Sequence, residues 1–212
     1  MICSPSFLTA DFKNLKQEIE SINEAKWLHF DVMDGVFVEN KTYNHEVVKE
    51  IKKYSKHFFD VHLMTVDPKE TFMNYVEAGA DLVTFHYEVV EDAIGLINEI
   101  KANGVKAGIS IKPDTDVLVL ESLLPYLDLI LIMSVEPGKG GQKFIENSLE
   151  KIAYLDKLRQ NNKYNYLIEV DGGINFETAR QVKAVGNDVI VVGSFIFNQA
   201  NRNQLIGELE NV

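Results

Sequence analysis

The chain has 212 residues, enough for one well-filled core and somewhat short of the ~250 usual for an eightfold α/β barrel. Its 46% hydrophobic and 25% charged residues exclude a disordered or fibrous protein, and a formal net charge of -11 argues against broad contact with nucleic acid or an anionic membrane. The lone cysteine, Cys3, excludes an internal disulfide framework, and no segment reads as a signal peptide or membrane span, so a cytoplasmic location is expected.

Eight short apolar or β-branched runs alternate with longer amphipathic segments, the pattern of repeated βα units. The runs fall at about 2–8, 27–32, 58–63, 81–86, 105–110, 128–133, 166–170 and 188–193. After the first, Phe12, Leu15, Ile19 and Ile22 recur at spacings of three and four, as a buried helical stripe requires. Similar stripes cover 45–54, 67–78, 92–102, 116–124, 147–160, 175–185 and 202–210, so a helix is expected after every strand. Gly79, Gly104 and Gly186 stand where helices should stop. No linker or change of composition divides residues 1–212, and one (β/α)8 TIM-barrel catalytic domain is expected. An open doubly wound sheet would call for Gly-x-Gly-x-x-Gly after its first strand, and Ser4-Pro5-Ser6-Phe7-Leu8 has nothing like it.

In such a barrel the chemistry sits at the C-terminal ends of the strands. The second run carries His29-Phe30-Asp31 and the third Asp60-Val61-His62. The two-residue period turns His29, Asp31 and His62 into the barrel. The seventh ends Glu169-Val170-Asp171 and delivers another carboxylate to the same mouth. A lone inward histidine is usually a hydrogen-bonded core residue. Two imidazoles and two carboxylates together suit one divalent cation per subunit, Zn, Fe, Mn or Co, with zinc favoured.

Glycine-rich loops follow the last three strands: Pro137-Gly138-Lys139-Gly140-Gly141-Gln142, Gly172-Gly173 and Gly193-Ser194. Any one of them reads equally well as a tight turn. Three in consecutive late loops point to backbone N–H groups gathered around a phosphate. Met33, Met64 and Met133 fall at strand ends beside the expected cation, where they would form a soft pocket lining.

The segments Ser4 to Phe12, His29 to Gly35, Asp60 to Met64, Met133 to Phe144, Glu169 to Ile174 and Val192 to Ser194 together resemble the ribulose-phosphate 3-epimerase family, in family order and over nearly the whole chain. The resemblance implies interconversion of D-ribulose 5-phosphate and D-xylulose 5-phosphate, a step of the pentose phosphate pathway. It implies His29, Asp31, His62 and Asp171 as metal ligands, with Asp31 and Asp171 also acting as acid and base through an enediolate. It places Ser6 beside the substrate and the phosphate against Gly141, Gly173, Gly193 and Ser194, and His62, Gly138, Gly140, Gln142, Asp171 and Gly172 are expected as further substrate-binding residues. A homo-oligomer is also implied.

Two segments depart from the family pattern. The loop Val36 to His45 lacks the usual proline and Gly-Pro, which bears on the pocket rim and on pentulose against hexulose preference. Lys139 stands where phenylalanine is usual and is expected to face solvent. A 3-epimerase of a hexulose phosphate such as D-allulose 6-phosphate is the nearest alternative. A non-catalytic sugar-phosphate-binding barrel is the alternative of another class. The Asp-x-Lys-x-x-Asp motif of orotidine-phosphate decarboxylase-like barrels is not matched by Asp60-Val61-His62-Leu63-Met64-Thr65.

Overall fold

Each of the eight apolar runs forms a parallel strand in the computed structural model, which describes residues 1–212. They are β1 (Ile2–Pro5), β2 (Trp27–Met33), β3 (Phe58–Met64), β4 (Leu82–His86), β5 (Lys106–Ile111), β6 (Leu129–Met133), β7 (Leu167–Asp171) and β8 (Val189–Val192). Hydrogen bonding runs continuously in the order β1-β8-β7-β6-β5-β4-β3-β2, and a parallel bridge between Ser6 and His29 joins the two ends. The sheet is thereby a single (β/α)8 TIM barrel, as the alternation predicts.

The helices are α1 (Leu15–Glu20), α2 (His45–Lys52), α3 (Pro68–Ala78), α4 (Ala93–Ala102), α5 (Asn147–Asn162), α6 (Phe176–Ala184), α7 (Ser194–Phe197) and α8 (Arg202–Glu210). Asp67 caps α3 through the Glu70 N–H at 3.1 Å with Pro68 in the first turn, and Gly79 closes it in the left-handed region at φ 101°. Gly104 and Gly186 also take positive φ after their helices. No helix is long and apolar enough to cross a membrane.

Three details differ from expectation. Residues 116–124 form no α-helix but two 3-10 turns, Val117–Leu120 and Leu124–Tyr126. Pro125 deprives a continuing helix of a donor. Val117, Leu120 and Leu123, spaced by three, are buried on the one face that a three-residue turn lines up. β1 stops at Pro5, and the chain turns through Phe7–Thr9, with Ser6 Oγ accepting from the Leu8 N–H. The short α7 follows β8 ahead of α8 and was not expected.

The larger core lies between sheet and helices, where 49 buried residues such as Phe30, Phe59, Ile97, Ile130 and Ile190 form one cluster. Inside the barrel the apolar cluster is only Leu82, Leu129, Leu131, Met133 and Val135, backed by Trp27, Phe58 and Leu167. The remaining inward positions near the C-terminal mouth are therefore available to polar groups.

Candidate metal and active site

β2 and β3 pair in a register that sets His29 beside Asp60 and Asp31 beside His62. β7 brings Asp171 to the same level, and one donor atom from each of His29, Asp31, His62 and Asp171 lies within 4.8 Å of the others. His29 and His62 are fully buried, and Asp31 is nearly so. Asp31 Oδ1 stands 3.5 Å from both His29 Nε2 and His62 Nδ1. Its other oxygen accepts a 2.6 Å hydrogen bond from Ser6 Oγ.

This donor set fits a divalent cation, and the orphaned atoms show it. His29 Nε2 and His62 Nδ1, the two ring nitrogens nearest Asp31, have no hydrogen-bond partner although both are buried. The opposite nitrogens are both engaged: His29 Nδ1 bonds Asp60 Oδ2 at 2.6 Å, and His62 Nε2 meets His86 Nε2 at 2.9 Å. Histidine ligands of metals are ordinarily held this way, with the second nitrogen donating to a carboxylate, carbonyl or water.

Charge is distributed unevenly around the ring. Burial would raise the pKa of Asp31, but the His29 charge outweighs it and holds the carboxyl well below its ordinary range. Burial, then the charge of Asp31, pushes Asp171 up to about 7. Burial works against a proton on His29, yet Asp60 and Asp31 prevail and raise its pKa well above the usual value. A cation must displace protons to occupy the cluster. Below it, Glu169 is fully buried with both oxygens unpartnered, and burial followed by the Asp60 charge favours its neutral acid.

A cavity of about 410 Å³ opens above the ring. It is lined by Ser6, Asp31, Met33, Met64, Met133, Gly138, Gly140, Gly141, Gln142, Asp171, Gly172, Gly173, Gly193 and Ser194. The expected pocket residues are thus brought together, except that His62 lies behind the wall, fully buried. Gln142 is also committed locally: its Nε2 donates to the carbonyls of Glu136 and Lys139 and ties the loop into shape. Lys139 is exposed at the rim, as expected.

The late loops need glycine for two different reasons. Gly172 has φ 121° and Gly173 φ 65°, and a Cβ on Gly173 would sit 2.4 Å from the backbone nitrogen of Phe144. No intramolecular acceptor takes the N–H of Gly141, Gly173 or Gly193, so these donors are free for an anion.

The departing loop after β2 does not line this cavity. It leans on the late loop instead, with Asn40 Nδ2 donating to the Gly138 carbonyl at 2.7 Å and Val38 packed against Gly138. Asp34 holds its base by accepting from the N–H groups of Val36, Phe37 and Val66. Its end also braces β2, where the Thr42 hydroxyl donates to the Asp31 carbonyl at 2.7 Å and accepts from the Met33 N–H at 2.9 Å, so the loop touches the cavity wall from behind, at Gly138, Asp31 and Met33.

Sequence reasoning missed the wall residues Leu8, Thr9, Asn175, Asn198 and Gln199. It also missed His86 and Glu88 behind His62. His86 ends β4 on the inward face, the face that His29 and His62 share on their strands although His62 is level with Thr84, and that placement was the available clue. His86 Nδ1 lies 3.2 Å from Glu88 Oε2, and burial pushes the His86 pKa down to about 4. For Glu88, burial is outweighed by hydrogen bonds from His86, the Lys112 N–H and Thr115, which bring it to about 2.

The sequence profile of the Ribulose-phosphate 3 epimerase family matches residues 2–197. A ribulose-phosphate 3-epimerase of Treponema pallidum is 42% identical over 204 residues, covering 95% of this chain and 94% of its own. One from Bacillus subtilis is 40% identical over 209 residues, covering 97% and 96%. Among solved structures, a 3-hexulose-6-phosphate synthase superposes with TM-score 0.73 at 16% identity, covering 100% of this chain and 99% of that one. The tryptophan synthase α-subunit of Pyrococcus furiosus gives 0.72 at 13%, covering 100% and 98%. These last two likenesses concern the fold alone.

Proposed function

The chain belongs to the ribulose-phosphate 3-epimerase family of isomerases, and from that premise we propose that it interconverts D-ribulose 5-phosphate and D-xylulose 5-phosphate. The observation that carries the reading is the pair Asp31 and Asp171. They are two carboxyls on one cavity whose surroundings push their pKa values apart, one down and one up to about 7.

Inversion at C3 requires two groups. A single base that returned its own proton to the same face would restore the starting configuration. Asp31 and Asp171 approach the cavity from β2 and β7, on different sides of the mouth. One carboxylate removes the weakly acidic proton beside the ketone, and the other, protonated, delivers a proton to the opposite face of the enediolate. The Ser6 hydroxyl, bonded to Asp31 Oδ2, orients that carboxylate. His29, Asp31, His62 and Asp171 hold the cation, of which zinc suits two imidazoles and two carboxylates best. When bound, such a cation supplies electrophilic stabilisation of the negative oxygens and lowers the pKa of carboxyls beside it.

The free N–H groups of Gly141, Gly173 and Gly193 receive the phosphate, with Ser194 and the rest of the late loops forming the cradle. Met33, Met64 and Met133 line the cavity where negative charge develops. Residues 1–212 act as one catalytic domain, in the cytoplasm and as a homo-oligomer.

The pentulose is preferred over the hexulose alternative because the loop Val36 to His45, the main departure from the family pattern, lies outside the cavity. Turnover on D-ribulose 5-phosphate and on D-allulose 6-phosphate, measured side by side, tests this. The pentulose should give the higher kcat/KM, and a higher value for the hexulose would reverse the assignment.

A further inference from the structure

We propose that Glu88 and His86 set the tautomer of His62, so that His62 presents a bare Nδ1 toward Asp31 and the cation cluster. His86 and Glu88 are then positioning residues of the site. The consequence for metal binding rests on the function proposed above, but the tautomer itself does not.

Protons can be counted along the chain of contacts from Glu88 through His86 to His62. The 2.9 Å approach of His62 Nε2 to His86 Nε2 is a hydrogen bond, so one nitrogen carries the proton and the other is bare. Glu88 decides which. As an ionised carboxylate it only accepts, so His86 Nδ1, 3.2 Å from Glu88 Oε2, carries a proton. Both imidazoles are fully buried, and that burial disfavours a second proton on His86 even with Glu88 beside it. His86 Nε2 is therefore bare and accepts from His62 Nε2–H. The lone pair of His62 is left on Nδ1, the atom that faces Asp31 Oδ1 at 3.5 Å and has no partner.

The outer end of this chain is anchored. Glu88 Oε1 accepts from the Lys112 N–H at 2.7 Å and the Thr115 hydroxyl at 2.5 Å. The same loop is clamped from its other side by Lys151, whose ammonium donates to the carbonyls of Lys112, Pro113 and Thr115. Phe37, with its ring 4.6 Å from that of His86, covers the relay from the solvent side. His29 receives the same service from Asp60 directly; His62 has no adjacent carboxylate on that side and receives it through one imidazole.

A Gln at position 88 keeps the shape and breaks the logic. Its one oxygen satisfies Lys112 and Thr115, which turns the amide NH2 toward His86 Nδ1. His86 then becomes the donor at Nε2, and His62 carries its proton on Nδ1, where a cation cannot bind.

Nitrogen-15 spectra of the histidine rings in the chelated full-length protein read this directly. Wild type should show His62 protonated at Nε2 and bare at Nδ1, and Glu88→Gln should show the reverse. Zinc affinity, measured by chelator competition, should fall roughly 10–100-fold in Glu88→Gln, while Lys151→Met, which loosens the loop from the other side, should keep both tautomer and affinity. A wild-type His62 protonated at Nδ1, an unchanged tautomer in Glu88→Gln, or an equal loss in Lys151→Met overturns the proposal. Failure of wild-type protein to bind zinc would count against the metal site instead, with the ring spectra still deciding the relay.

Discussion

The two halves of the barrel mouth are built on opposite principles. At the ends of β2, β3 and β7, residue identity is decisive: His29, His62 and Asp31 are buried with partners that fix which atom faces the cavity, and Asp171 stands half-buried beside them. In the loops after β6, β7 and β8, the absence of a side chain is decisive, because backbone N–H groups line the wall at conformations such as φ 65° at Gly173. Reaction chemistry is placed on rigid strands, and anion recognition on shaped backbone. Damage to the first half should therefore appear in turnover, and damage to the second in binding.

The largest effect is expected from the carboxyl pair. Asp31→Asn or Asp171→Asn should lower kcat by ~10²–10⁴-fold or more while circular dichroism stays native, since each removes a proton-transferring group. Steady-state kinetics check this, and near-normal turnover in either variant would erase the distinction between the halves.

A smaller effect, of the other kind, is expected in the cradle. In Gly173→Ala the new methyl meets the Phe144 backbone at 2.4 Å in a left-handed conformation. The loop must shift, at a cost of roughly 1–3 kcal/mol. KM should rise about tenfold for each ~1.4 kcal/mol of phosphate binding lost, with kcat changed less. An effect confined to kcat would place Gly173 in the chemistry.

The mildest test uses pH. Asp171 has a folded-state value of about 7 against an ordinary 3.8, so the folded chain binds a proton more tightly than the unfolded one. That contribution is fully present below about pH 4 and is lost as pH rises toward 7. In chelated protein, wild type should lose thermal stability relative to Asp171→Asn over this window. A constant difference between the two across it would contradict the raised value. Zinc affinity should rise over the same range as the displaced protons become easier to release.

How much was legible follows from where the information lies. The alternation of apolar runs marks all eight strands because both faces of each are buried, and His29, Asp31, His62 and Asp171 stand out because charge inside a barrel needs a reason. Residues 116–124 misled because Val117 and Leu120 fit a helical spacing as well as the 3-10 spacing they adopt, and Pro125 carried the deciding signal. Glu88 and Lys151 were not legible at all. Glu88 stands two residues from His86, but its hold on Lys112 and Thr115, and the hold of Lys151 on the same loop, join distant parts of the chain, and nothing in their local sequence announces it. The altered loop Val36 to His45 suggested a changed pocket rim, and it lies behind the wall instead, against Gly138 and, through Thr42, the backbone of Asp31 and Met33.

The central claim is that two carboxyls exchange the C3 proton across the cavity. The most direct measurement is incorporation of deuterium at C3 when zinc-loaded protein equilibrates D-ribulose 5-phosphate with D-xylulose 5-phosphate in heavy water. One deuterium is expected at C3 of the epimerised product. Epimerisation with the original hydrogen retained at C3, or none at all, would contradict it.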